Sequence, residues 1–159
     1  MNSPASPAAQ AFDAVRAGDH PTLLRLLDGG VSVETTNARG DALLMLAAYH
    51  GHTELVATLL ARGADPNRAN ASGQFPLAGA VFKGDVAIAD LLLAAGAVVD
   101  TPDKDGRTAL HYAAMFDHAD LVALLLAKGA DRAIRDASGL GPADAARARG
   151  ARNALAVFG

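Results

Sequence analysis

Five histidines are the side chains of this chain best suited to chemistry: His20, His50, His52, His111 and His118. An imidazole can ligate a metal or move a proton near neutral pH. His111, Asp117 and His118 fall within one short stretch, "HYAAMFDH", and invite both readings. A metal needs three or four converging ligands, however, and a turn between two helices separates His111 from the other two. A Ser-His-Asp hydrolase lacks its nucleophile elbow, since no G-x-S-x-G occurs. No G-x-x-x-x-G-K phosphate loop occurs either. The sequence therefore predicts no catalytic residues, no metal, no cofactor and no enzyme activity. The histidines need another reason to be where they are.

The elements that carry them repeat. Gly40, Gly73, Gly106 and Gly139 stand 33 residues apart, and Gly30, Gly63, Gly96 and Gly129 keep the same interval. So do Asn37, Asn70, Asp103 and Asp136. Gly18, Gly51, Gly84 and Gly150 hold the register too, with Asp117 in the one vacant slot. A fixed period of this length marks a repeat architecture. Within it, Leu43, Leu44, Ala47 and Ala48 have helical spacing, and Leu55, Val56, Leu59 and Leu60 form a second apolar stripe after Gly51. The next units repeat this with Leu77, Ala80, Val81, Ile88, Leu91 and Leu92, then with Leu110, Ala113, Ala114, Leu121, Val122, Leu124 and Leu125. Each unit reads as helix, tight turn, helix, glycine-ended turn and an extended, hairpin-like connection. His111 then belongs to a first helix, while His52 and His118 precede second helices. The slot filled by Asp117 ends a first helix, where a left-handed residue is favoured. Asp tolerates that conformation better than most residues, so a positive φ is predicted there.

Composition agrees. The chain is 51% hydrophobic but only 4% aromatic, so its core must come from Ala, Leu and Val, which suits closely stacked helices. One unit cannot bury its apolar face alone, and stacking lets each repeat cover its neighbour. Mean hydropathy is +0.18, yet no apolar run approaches the roughly 20 residues of a membrane span. There is no cysteine, so disulfides and thiolate metal sites are excluded. "MNSPASPAAQ" has neither a basic residue nor an apolar run. It reads as a disordered lead over residues 1–8 rather than a secretory signal, with a cytoplasmic location as the expectation. Net charge is -3, although residues 128–159 are basic through Lys128, Arg132, Arg135, Arg147, Arg149 and Arg152. These cations are scattered without interleaved aromatics, which describes a solvated end better than a nucleic-acid surface.

With the period in hand, the sequence resembles the ankyrin repeat family, whose 33-residue unit carries a T-P-L-H-x-A signature. "GRTALHYAAMFDHADLVALLLAKGAD" is the best copy. "GDALLMLAAYHGHTELVATLLARGADPN" replaces Thr, Pro and His by Ala42, Leu43 and Met45, and "GQFPLAGAVFKGDVAIADLLLAAGAVVD" keeps Pro76 and Leu77 but has Phe75 and Ala78. The resemblance implies an all-α repeat solenoid of stacked helix-turn-helix repeats joined by β-hairpin-like loops. It covers a single domain, residues 9–159. An N-terminal cap repeat occupies 9–36, full repeats 37–69, 70–102 and 103–135, and a C-terminal cap repeat 136–159. "AFDAVRAGDHPTLLRLLDGGVSVE" lacks the opening signature. "ASGLGPADAARARGARNALAVFG" stops after its second helix, with Arg147, Arg149 and Arg152 supplying the polar outer face a terminal repeat needs. Phe12 and Phe158 are expected to close the two ends. Irregular units such as the third argue for a natural sequence rather than a consensus design.

The resemblance also assigns His111. In the family the signature histidine bonds the backbone of the hairpin linking neighbouring units, with the Thr at the helix start, here Thr108, bonding nearby. His52 and His118 are expected to be structural or solvated, and His20 exposed. The positions without scaffold duty are those of the concave face, formed by the hairpin tips and the ends of the first helices. The matching helix residues are Tyr49 and His50, Phe82 and Lys83, and Met115 and Phe116, a ladder flanked by Arg16 and Arg147. The hairpin tips add Arg39, Asp41, Ser72, Gln74, Lys104, Asp105 and Arg107. Of five Phe and two Tyr in the chain, three fall on the ladder, and exposed aromatics and Met mark binding hot spots. The competing reading is that these rings only pack against one another. Phe75 replaces a small capping residue and is expected between hairpins. Gly79, inside a helix, either softens the third unit or leaves room for a ligand side chain.

The implied function is a non-enzymatic protein-protein interaction module that binds an unidentified protein partner on its concave face. The alternative is an inhibitor or immunity-type protein that blocks a toxin or enzyme. A bacterial source and a monomer are expected, with no nucleic acid or membrane partner.

Overall fold

The computed structural model describes residues 4–159, which form ten helices. These are α1 (Pro7–Ala17), α2 (His20–Asp28), α3 (Leu43–His50), α4 (Thr53–Ala61), α5 (Pro76–Lys83), α6 (Val86–Ala94), α7 (Ala109–Met115), α8 (Ala119–Ala127), α9 (Pro142–Arg149) and α10 (Arg152–Phe158). Each odd-numbered helix packs on the even one that follows. The odd helices also stack in sequence, α1 on α3, α3 on α5, α5 on α7 and α7 on α9. The even helices do the same from α4 to α10. This is the expected solenoid. The first helix starts earlier than the expected boundary at residue 9. Ser6 Oγ accepts the Ala9 N–H at 3.2 Å, and Pro7 stands in the first turn, where its missing N–H does no harm. The lead therefore ends before Pro7, and its first three residues lie outside those described.

The core runs the length of the stack. Leu23, Leu43, Leu44, Leu55, Leu59, Ile88, Leu92, Leu110, Leu121 and Leu125 are its largest fully buried apolar side chains. Each contributes about 1.5–3 kcal/mol relative to exposure. Alanines such as Ala47, Ala80, Ala113 and Ala146 let the odd helices approach. Gly79 takes this further. A Cβ there would stand 3.1 Å from the Tyr49 backbone nitrogen, so the bare glycine is what lets α5 lie against α3.

The Asn/Asp ladder holds the hairpin tips. Asn37 Oδ1 accepts the N–H groups of Arg39 (2.9 Å) and Asp41 (3.0 Å). Asn70, Asp103 and Asp136 each do the same for the residues two and four further on. A short side chain that accepts two backbone donors fixes a turn without a strand, as in an Asx-turn. Among the described residues the β-character of these loops reduces to one isolated bridge, Thr36 with Ala42. Tips also bond to their neighbours, with Ala71 N–H donating to Arg39 O at 3.0 Å and Ala137 N–H to Asp105 O at 2.8 Å.

Asp117 has φ 60, the positive value predicted. Its carboxylate has a further task. Oδ1 accepts the Ala154 N–H at 2.8 Å and Oδ2 accepts from Asn153 Nδ2 at 2.8 Å. The residue before α10 is Ala151, which has no capping side chain. Asp117 thus supplies from the previous unit the acceptor that a helix N-terminus requires. At the ends of the stack Phe12 and Phe158 are buried, and the Arg132 guanidinium lies 5.4 Å from the centre of the Phe158 ring.

Candidate functional site

The histidines serve the scaffold. His111 is fully buried. The Thr108 N–H donates to its Nδ1 at 3.2 Å, and the Thr108 hydroxyl lies 3.0 Å from the same nitrogen. On the other side Nε2 lies 3.1 Å from the Leu140 carbonyl oxygen, in the next hairpin. A backbone N–H can only donate and a carbonyl can only accept, so the ring carries its hydrogen on Nε2 and bridges two units. This is the tether the resemblance implied. His52 and His118 seat their rings over the glycines that cap the odd helix of the previous unit, α1 and α5. His52 Cε1 is 2.8 Å from where a Cβ on Gly18 would stand, and His118 Cε1 is 2.9 Å from the same point on Gly84. Both glycines are left-handed, at φ 70 and φ 71, so the slot excludes side chains twice over. At the equivalent slots Asp19 and Asp85 instead cap α2 and α6, accepting from Thr22 N–H and Ile88 N–H. His20 departs from expectation. It is half-buried rather than exposed, because its Nε2 meets Thr58 Oγ1 of the next unit at 2.7 Å. Among the described residues no three His, Asp or Glu side chains gather as a metal site would require.

A groove of about 560 Å³ runs between the hairpin tips and the C-terminal ends of the odd helices. It brings together Arg39, Asp41, Tyr49, His50, Ser72, Gln74 and Phe82 from the predicted set, and Arg16 from α1. Met45, Leu46, Ala78 and Gly79 also line it. Tyr49 is 52% exposed and Phe82 45%. A smaller adjoining cleft toward the next unit is lined by Phe75, Phe82, Val98, Arg107 and Tyr112. Phe75 is half-buried there, at the start of α5. Lys83, Lys104, Asp105, Met115 and Phe116 line neither space. Lys104 Nζ donates to Ala71 O at 3.1 Å, which ties adjacent tips together.

The two readings of the aromatic ladder divide by position. Phe82 packs on Phe116 (5.1 Å between ring centres) and on Tyr112 (5.6 Å), and Tyr112 stacks on Phe116 at 6.1 Å. Those rings do pack together, yet Phe116 stays 38% exposed. Tyr49 meets only the edge of its neighbour His50, at 5.5 Å. Sequence reasoning missed Tyr112, which sits one residue after the tether histidine on a face that helical spacing alone makes ambiguous. Its hydroxyl donates to Asp103 Oδ2. Burial first, and then the Asp103 carboxylate, push its pKa up to about 12.

Two predicted tip residues turn out to be held by the scaffold. Asp41 is only 4% exposed. Oδ2 accepts from Asn37 Nδ2 and Arg39 Nε, both at 3.1 Å, and Oδ1 accepts from Asn70 Nδ2 at 2.7 Å. Burial pushes its pKa up, but the bonds from Asn70, Asn37 and Arg39 outweigh this and hold the carboxyl below the usual range. Arg107 is half-buried beside Asp136, with Nε donating to Oδ2 at 3.3 Å. A buried carboxylate must be paired in this way, so both side chains join neighbouring tips. Arg39, Ser72, Gln74 and Asp105 remain exposed.

Helix pairs stacked around one continuous core, with bonded tips on one side, define a helix-turn-helix repeat solenoid. A family model described as ankyrin repeats (three copies) matches residues 11–103 and again 44–136. An ankyrin repeat protein of Pseudomonas aeruginosa is 51% identical over 47 residues, which cover 30% of this chain and 28% of the relative. The match thus spans less than a third of that relative's length. The chain belongs to the ankyrin repeat family, whose repeats generally mediate protein-protein interaction. No helix is long and apolar enough to cross a membrane among the described residues.

Proposed function

We propose that this chain is a non-enzymatic binding module that takes a protein partner in the groove between its hairpin tips and odd helices. The observation that carries this is the exposure of Tyr49 and Phe82 on a groove of about 560 Å³. Large aromatics left open to water in a concave site are the anchors around which binding energy concentrates. Several other polar side chains serve the scaffold. His111, Asp41, Asp117 and Arg107 all bond across units, whereas Tyr49 and Phe82 remain exposed on the groove.

The test is affinity purification from the source cell with the wild-type chain and with a Tyr49→Ala/Phe82→Ala variant. The variant should keep its circular dichroism spectrum, with a modest fall in melting temperature from the lost packing of Phe82 on Phe116 and Tyr112. A partner recovered by the wild type and lost with the variant supports the reading. Equal recovery by both proteins contradicts it.

A further inference from the structure

We infer that the solenoid is hinged in its middle. The helices up to α6 form one body, those from α7 onward form another, and the seam between α5 and α7 parts on the side of the hairpin tips. This goes beyond the binding reading and does not depend on it.

The cause lies at one position of the period. Leu46, Gly79, Tyr112 and Ala145 stand 33 residues apart, each on an odd helix. At Gly79 the bare backbone brings α5 onto α3. Ala145 is buried and small, and lets α9 settle on α7. Tyr112 puts a phenol ring at this position, and the ring lies on Phe82 of α5 with 5.6 Å between centres. It acts as a wedge. The backbones of α5 and α7 approach each other less than those of α3 and α5 or of α7 and α9. A space of about 30 Å³, room for a water molecule, stays open between them. Ala78 and Phe82 wall it from α5, and Ala109 and Tyr112 from α7. Atoms that line such a space lack packing partners on one side. Leu46 holds the position in α3, but its neighbour α1 stands at the end of the stack, so a loose contact there frays an end and divides nothing.

The bonds that lock the other tips do not form at this seam. Ala71 N–H donates to Arg39 O and Ala137 N–H to Asp105 O. Among the described residues the matching bond, from the Lys104 N–H to Ser72 O, is absent. Asn70 reaches Asp41 on the preceding tip at 2.7 Å, and Asp136 meets Arg107 at 3.3 Å. The matching pair here is Asp103 and Gln74, and each is engaged within its own unit. Gln74 Oε1 accepts from Asn70 Nδ2 at 3.1 Å, and Asp103 Oδ2 accepts from the Tyr112 hydroxyl. The tether position of His111 is Ala78 in the preceding unit, whose methyl group has nothing to donate. Among the described residues one hydrogen bond crosses these two tips, from the exposed Lys104 to Ala71 O.

The even-helix side stays joined. Both oxygens of Asp100 accept the Asp131 N–H at 3.1 Å, Lys128 pairs with Asp90 at 3.0 Å, and the His118 ring covers Gly84. The stability of a stacked array is a sum over units and over contacts between neighbours, so opening starts at the weakest contact. The pivot therefore runs along α6 and α8. Opening draws Phe82 away from Tyr112 and Phe116 and changes the groove at that end.

The chain has no cysteine, so paired labels go where they are placed. Nitroxides are attached at equivalent exposed tip positions in three variants: Arg39→Cys/Ser72→Cys, Ser72→Cys/Asp105→Cys and Asp105→Cys/Ser138→Cys. Dipolar broadening of the frozen spectra gives the distance and its spread across each joint. The middle pair should show the longest mean and the widest spread. Adding Tyr112→Ala to the middle pair should shorten its mean toward those of the other two. A middle spread no wider than its neighbours overturns the hinge, whatever the mean. A middle mean that Tyr112→Ala leaves unchanged or lengthens overturns the wedge as its cause. Circular dichroism confirms the fold of each variant, and if Tyr112→Ala unfolds the chain, the three labelled pairs still decide the hinge.

Discussion

Replacing Asp117 by glycine, asparagine and alanine separates two tasks that one side chain performs. The residue holds a left-handed backbone at φ 60, and its carboxylate caps α10 across a repeat boundary. Losing an N-cap acceptor costs about 1 kcal/mol. Alanine at this backbone adds about 1 kcal/mol of left-handed strain, so Asp117→Ala should lose about 2 kcal/mol in total. Asp117→Gly also loses the cap but relieves the strain, and should stay within about 1 kcal/mol of wild type. Asp117→Asn keeps an oxygen for the Ala154 N–H and tolerates the same backbone, so it should lose least, about 0.5 kcal/mol. Urea denaturation gives the order, and hydrogen exchange at the Ala154 amide locates the effect. Alanine should be worst, and both glycine and alanine should speed exchange at Ala154. If alanine proves no worse than glycine, the backbone argument is refuted. If Ala154 exchanges at the wild-type rate in the glycine variant, the cap is refuted.

Other consequences follow from the same contacts. His111→Ala leaves the Leu140 carbonyl and the Thr108 N–H without their partner in a buried site, so urea denaturation should show a loss of about 3 kcal/mol or more; unchanged stability would contradict the tether. Gly79→Ala gains about 1 kcal/mol of helix propensity but sets a Cβ 3.1 Å from the Tyr49 nitrogen, so the melting temperature should fall; a rise would show that α3 and α5 can separate freely. Asp41 and Asp136 are both held below the usual carboxylate range, Asp41 against its burial by Asn70, Asn37 and Arg39, and Asp136 first by the Leu140 N–H. A depressed carboxylate contributes stability that is complete above its unfolded value, about 4, and is lost as pH falls through the lower folded value. Melting temperature should therefore hold from neutrality to about pH 4 and then drop, less steeply in Asp41→Asn. An equally steep drop in that variant would remove Asp41 from the account.

The period made most of the fold legible. Four glycine and Asn/Asp ladders place every helix pair, and the break at Asp117 predicts the positive φ found there. Its capping task was not legible, because the helix it caps lies 37 residues on and the need arises from Ala151 having no acceptor. The Asn/Asp ladder was visible as a pattern, yet its pairs of bonds to tip N–H groups depend on loop geometry that composition does not encode. Asp41 and Arg39 show the same limit. They are two residues apart on one tip, where alternation would set both on one side, but the left-handed turn at Gly40 between them (φ 76) lets Asp41 face inward to Asn70 while Arg39 stays in solvent. His20 looked exposed because it is out of register with His52, while its partner Thr58 comes from the next unit. Tyr112 escaped notice because its packing on Phe82 joins units that only stacking brings together.

The central claim is that the groove beside Tyr49 and Phe82 is the binding surface. Backbone amide chemical-shift mapping tests it most directly, with the isotope-labelled chain titrated with its purified partner. The largest changes are expected at Tyr49, His50, Ser72, Gln74 and Phe82, while the outward faces of α4, α6 and α8 stay still. Changes concentrated on those outward faces, with the groove residues unmoved, would contradict it.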